Sequence, residues 1–216
     1  MNFVTTTLDR RGVAIITLNN PEKHNAFDDV FIGELTQTFE TLNNNTDVRV
    51  VILAANGKSF SAGADLNWMK RTANYTREEN LADAVALAGM LKSLNFMTKP
   101  TIARVQGATF GGGVGLVCCC DMAVAAKRAV FSLSEAKIGM IPATIGPYVV
   151  AAIGQRASRR YFTTAERFDA ATALQLGLVS QVVNDEQELD DAIAQLVDQL
   201  LTSGPQAVAA AKQLTF

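Results

Sequence analysis

Apolar and polar positions alternate from Phe3 to Asp9 and again from Val13 to Leu18, around Arg10-Arg11-Gly12. This period of two predicts a β-hairpin, which Asn19-Asn20-Pro21 breaks. Asp28 or Asp29 can cap a helix running to about Leu42, because Val30, Leu35, Phe39 and Leu42 recur near helical spacing. Asn43-Asn44-Asn45 ends it. The run VRVVILAA at Val48–Ala55 is nearly unbroken and rich in β-branched residues, the pattern of a strand buried on both faces in a parallel sheet. A glycine-bearing loop, Asn56–Ala64, follows it. Residues Arg77–Phe96 predict an amphipathic helix with Leu81, Val85, Ala88, Leu91 and Leu94 on one stripe, closed by Lys99-Pro100.

A second buried strand, Thr101–Val105, leads into a glycine cluster, Gly107 to Gly115. The expected sequence of elements is then a helix at Val114–Cys120, strands at Met122–Ala125 and Val130–Leu133, and a helix at Gly146–Ile153. Strand, loop and helix alternate, which favours an α/β fold over a bundle or sandwich. Beyond Arg156 helices predominate, at Ser158–Thr163, Ala170–Gln175 and Asp185–Leu201, with one short strand at Val179–Val183. Pro205 opens another helix, which reaches Phe216 without a stop signal; the pattern is that of a chain cut short.

Composition narrows the functional classes. The chain has 216 residues, of which 49% are hydrophobic, enough for a substantial core. Nineteen basic against 21 acidic residues give a net charge of -2, without the basic runs that favour nucleic acid. The N-terminus carries charges inside its first apolar stretch, unlike a signal peptide, and no run approaches the roughly 18 apolar residues of a membrane span. A cytoplasmic protein is expected. Cys118, Cys119 and Cys120 are contiguous within an apolar helical segment, matching neither disulfide nor zinc-ligand spacing, and are expected to be packing residues.

Familiar motifs fail on their spacing. Gly57-Lys58-Ser59 resembles the end of a phosphate loop, but Ile52 stands where its first glycine belongs. The cluster Gly111-Gly112-Gly113-Val114-Gly115 lacks the third glycine of a dinucleotide fingerprint, so no nicotinamide cofactor is expected. His24 is the only histidine, lies in a turn and has no nucleophile elbow to serve. What remains is backbone chemistry. Gly63 and Gly112-Gly113 let main chain approach a ligand, and a helix beginning near Val114 adds its N-terminal positive potential. N–H groups from two loops can then hold one carbonyl oxygen as it gains charge, an arrangement in which each donor is worth on the order of 3 kcal/mol. Tight turns and close helix packing would also account for these glycines.

The residues Phe60-Ser-Ala-Gly-Ala-Asp-Leu66, then Gly107-Ala-Thr-Phe-Gly-Gly-Gly113, Cys120-Asp121, and Ser134-Glu135 followed by Ile141-Pro142 together resemble the crotonase, or enoyl-CoA hydratase/isomerase, superfamily over essentially the whole chain. The resemblance implies a spiral of repeated strand-strand-helix units over residues 1–183, with a helical C-terminal region starting at 184–216. It implies that the N–H groups of Ala64 and Gly112 form an oxyanion hole and that Glu135 is the general acid/base. Backbone around Ala62, Ala64, Asp65, Leu66 and Asn67, with Gly113, would receive the CoA moiety, and Lys23 would lie near its phosphates. A helix-capping Glu135 and a solvated Lys23 are the structural alternatives. The family's hydratases typically carry two glutamates, and Gly115 occupies the position of the first.

The finer pattern, Asp65-Leu-Asn-Trp-Met-Lys70 with Ile141-Pro-Ala-Thr-Ile-Gly-Pro-Tyr148, is most similar to bacterial methylglutaconyl-CoA hydratases of leucine breakdown, whose substrate bears a second carboxylate. Lys70 or Arg71 is a candidate partner for that group. The expectation is hydration or dehydration of a branched α,β-unsaturated acyl-CoA. A double-bond isomerase using one Glu and a non-catalytic acyl-CoA binding protein are the alternatives. No metal or cofactor beyond the substrate's own CoA is implied, and a homotrimer or dimer of trimers is.

Overall fold

The computed structural model describes residues 3–216. Val4–Leu8 (β1) and Val13–Leu18 (β2) form the expected antiparallel hairpin. Helix α1, Asp29–Asn44, starts where Asp28 accepts the Phe31 N–H at 3.1 Å, and it buries Phe31, Leu35 and Phe39. Strand β3, Val50–Ala55, is buried along its whole length. Val51, Leu53 and Ala55 join one apolar cluster, and Val50, Ile52 and Ala54 another, so both faces of the strand are covered as its composition predicts. Fully burying each larger side chain of this run contributes roughly 2 kcal/mol.

From β3 onward the chain repeats one unit. Each turn lays a longer strand into a large sheet, a three-residue strand into a small one, and then a helix. The first turn is β3, β4 (Ser59–Ser61), α2 (Leu66–Thr72) and α3 (Arg77–Asn95). The second is β5 (Thr101–Val105), β6 (Ala108–Phe110) and α4 (Gly112–Cys119). The third is β7 (Met122–Ala126), β8 (Val130–Ser132), a 3-10 turn at Glu135–Ile138 and α5 (Gly146–Thr164). The large sheet has the order β1-β2-β3-β5-β7-β10, with β10 at Gln181–Val183, and is parallel except for the first hairpin. The small sheet is β4-β6-β8-β9, closed by the antiparallel strand β9 at Arg167–Asp169. Parallel neighbours need such crossovers, and the spiral supplies one helix-bearing crossover per turn.

Helices α6 (Ala170–Leu176), α7 (Glu186–Leu201) and α8 (Pro205–Gln213) follow the third turn. Leu189, Ala192, Ile193 and Val197 of α7 cover the second face of the large sheet. No helix among the described residues is long and apolar enough to cross a membrane.

Three expectations change. The loop expected at Asn56–Ala64 contains β4, and the glycine cluster contains β6. The two helices expected at Gly146–Ile153 and Ser158–Thr163 are the halves of α5, divided at Gly154, whose φ of 76° and ψ of 161° lie outside helical geometry. The stripe on α3 is buried only at its C-terminal end: Leu91 and Leu94 are inaccessible, whereas Leu81 and Val85 are 60% and 62% exposed. Leu81 and Val85 face solvent, so the stripe is buried only where α3 meets the rest of the core.

Candidate active site

The two glycine-bearing loops meet because neither carries side chains at the point of contact. Gly63 adopts a φ of 81°, and a Cβ on it would stand 2.7 Å from the Phe110 carbonyl oxygen and 3.2 Å from the Gly112 nitrogen. Gly113 faces inward, where its missing Cβ makes room for the Ser61 carbonyl. A Cβ on Gly112 would strike the Phe27 ring. The main chain at Gly111, with φ 50° and ψ -120°, takes a conformation that only glycine adopts without strain.

The segment His24 to Phe27 locks the first loop in place. The Ala62 N–H donates to the His24 carbonyl at 2.9 Å, the Phe27 N–H to the Gly63 carbonyl at 2.9 Å, and the Asp65 N–H to the Phe27 carbonyl at 3.0 Å. Underneath, fully buried Asn25 donates to the carbonyls of Asn56 and Ser59 at 2.9 and 3.0 Å. The Ser61 hydroxyl donates to the Asn25 carbonyl and accepts the Gly63 N–H. Asn25 stands in the left-handed region at φ 53°, a conformation asparagine tolerates better than most residues. This ladder consumes the donors of Ala62, Gly63 and Asp65. The N–H groups of Ala64 and of Gly112, first in α4, find no backbone acceptor among the described residues.

Ala64 and Gly112 line one cavity of about 430 Å³ together with Ala62, Leu66 and Glu135. Glu135 opens the 3-10 turn beside them: its Oε1 lies 3.1 Å from where a Gly111 Cβ would be, and its Oε2 is buried with no hydrogen-bond partner among the described residues. The Ser134 side chain does not cap this turn. Burial pushes the Glu135 carboxyl above its ordinary value, keeping a protonated form accessible nearer to neutral pH.

The remaining expected residues lie outside the cavity lining. The Asp65 carboxylate caps α2, accepting the N–H groups of Asn67 and Trp68, and pairs with Lys23 Nζ at 3.2 Å. Desolvation pushes its carboxyl up, but the Trp68 N–H and the Lys23 ammonium outweigh this and leave it lowered. Asn67 is exposed on the first turn of α2. Lys70 and Arg71 do not line the cavity, and Arg71 pairs with Asp29 on the surface. The cation that does line it is Lys137, two residues beyond Glu135 on the 3-10 turn and without an ionic partner among the described residues. Phe27, Trp68 and Asp83 also line it and escaped the sequence reading. The short spacing of Lys137 from Glu135 was a usable signal; Phe27 and Asp83 come from distant segments and gave none.

Gly115 explains the absent first glutamate sterically. A Cβ there would stand 2.3 Å from Ile145 Cγ2 and 2.9 Å from its Cβ, with Leu91 behind. Ile145 is 2% exposed and itself lines the cavity, so it fills the space a carboxylate on α4 would need.

Residues 9–215 match the model of the enoyl-CoA hydratase/isomerase family. An enoyl-CoA hydratase from Shewanella pealeana superposes with a TM-score of 0.96 at 49% identity, over 99% of this chain and 79% of that one. The hydroxycinnamoyl-CoA hydratase-lyase of Pseudomonas fluorescens is 34% identical over 93% of this chain and 74% of its own length. The enoyl-CoA hydratase AKT6-1 of Alternaria alternata is 33% identical over 96% of this chain and 68% of its own. With its spiral of strand-strand-helix units and two glycine loops converging on one carboxylate, the chain belongs to the enoyl-CoA hydratase/isomerase family, as an enzyme of the hydratase type.

Proposed function

We propose that the protein adds water reversibly across the α,β double bond of a branched acyl-CoA bearing a second carboxylate, a methylglutaconyl-CoA-like substrate. In this reading the thioester oxygen sits between the Ala64 and Gly112 N–H groups. Charge moves onto it as Cβ gains its hydroxyl, and fixed donors stabilise the resulting enolate. Glu135, protonated, delivers a proton to Cα and takes it back in dehydration. The observation that carries the reading is the buried, unpartnered Glu135 Oε2 in the same cavity as both amides.

Lys137 supports the second carboxylate, since an exposed lysine lining the cavity, without an ionic partner among the described residues, favours an anionic acyl end. CoA itself would run past Ala62, Leu66 and Asn67, with Lys23 at the rim. The test is hydration of 3-methylglutaconyl-CoA in oxygen-18 water. Label is expected in the product hydroxyl with the wild type and is expected to fall by about 10³-fold in rate with Glu135→Gln. Lys137→Gln is expected to lower kcat/KM about tenfold for the carboxylate-bearing substrate and to leave crotonyl-CoA unchanged. Double-bond migration without label would make the protein an isomerase; equal losses on both substrates would remove Lys137 from specificity.

A further inference from the structure

Hydration needs a group that takes a proton from the attacking water as well as one that protonates Cα, and Ile145 closes the α4 position from which a second carboxylate would come. The cavity nevertheless has a second carboxylate. Asp83, on the open first half of α3, lines it with Glu135 and Lys137, and these three are its only ionisable side chains among the described residues. Asp83 is held from behind: the indole N–H of buried Trp68 donates to its Oδ2 at 3.2 Å, and no protein donor among the described residues reaches its Oδ1. Trp68 is positioned in turn by the Asp65 cap on α2, which accepts its backbone N–H at 3.1 Å. The same cap holds α2 directly after the Ala64 loop.

We infer that Asp83 is the residue that holds and deprotonates the nucleophilic water, and that Trp68 is its positioning residue; this rests on the hydratase reading above. The water oxygen bonds to Cβ while its proton passes to Asp83. The π pair moves to form the enolate, and the enolate carbon takes the proton of Glu135. Solvent exchange then returns a proton from Asp83 to Glu135, so that water and enoyl-CoA become hydroxyacyl-CoA with both residues restored. In the hydration direction Asp83 accepts a proton and Glu135 gives one; Lys137 is the other charged side chain lining the cavity among the described residues.

The decisive variant is Asp83→Asn, which retains an oxygen to accept the Trp68 N–H but cannot take a proton. Expected are a fall in hydration kcat of at least about 100-fold and KM within about threefold of wild type. Asp83→Glu is expected to recover part of the loss, and Trp68→Phe to lower kcat about tenfold with KM within about threefold of wild type. Deuterium exchange at Cα of a saturated acyl-CoA in heavy water needs Glu135 and the enolate but no added water, so Asp83→Asn is expected to leave it unchanged. Hydration by Asp83→Asn within threefold of wild type would overturn the inference. Loss of exchange together with hydration in that variant would overturn it too, by making the role one of cavity structure. Absence of exchange in the wild type would instead bring down the Glu135 reading, so the two failures are distinguishable.

Discussion

The two walls of the cavity are made by opposite means. The wall carrying the Ala64 and Gly112 amides is a ladder of backbone hydrogen bonds over a buried asparagine, with glycines wherever two strands of main chain touch. The lip facing it, Ala136 to Ile141, is exposed throughout, and Ile141 keeps 76% of its surface in water. One wall is over-determined; the other is held by little beyond its turn. Oxyanion stabilisation depends on donors that need no reorganisation, and a misplacement of an ångström is costly. Acyl chains are recognised by apolar contact, which tolerates movement. In the proposed reading the rigid wall serves the step common to the family, and the loose lip serves whatever distinguishes one acyl group from another.

The rigid wall should break at a single methyl. Gly113→Ala places a Cβ 2.8 Å from the Ser61 carbonyl oxygen and 2.9 Å from Ser61 Cβ, in a buried site where neither neighbour is a flexible tip. A loss of about 3 kcal/mol in denaturant unfolding is expected, with activity lost alongside it. A smaller effect, of opposite sign, is expected at the carboxylate between the walls. Burial holds the Glu135 carboxyl above its ordinary 4.5, so the fold disfavours its charged form. That penalty is absent below the unfolded value, grows as pH rises through 4.5 and is complete once pH exceeds the raised folded value. Glu135→Gln should thus stabilise the protein by on the order of 1 kcal/mol near neutral pH while it inactivates it, with the gain vanishing in acid. A pH-independent gain in thermal melts would point to packing instead. The least change belongs to the lip: Ile141→Ala is expected to shift stability by less than about 0.5 kcal/mol and to change KM more than kcat.

How much of this was legible depended on what each element is made of. The strands of the large sheet announce themselves because burial on both faces demands an apolar run such as Val50–Ala55. Strands β4, β6 and β9 have three residues each and include serine, threonine, arginine and aspartate, so no periodicity can accumulate. Their register comes from main-chain pairing within the spiral, which sequence spacing does not encode. Ala64, Gly112 and Glu135 were reachable through motif order, and the structure brings all three to one cavity. Asp83 was not, because on α3 it reads as one polar position of an amphipathic helix. Only the partnership with Trp68, fifteen positions earlier, sets it apart.

The three consecutive cysteines have a practical side. Burial pushes the Cys118 thiol up to about 12 and raises Cys119 and Cys120 as well, so the thiolate form is disfavoured at neutral pH. Disulfide-exchange reagents attack through thiolates, so slow labelling at neutral pH is the expected outcome of a thiol titration of the folded protein.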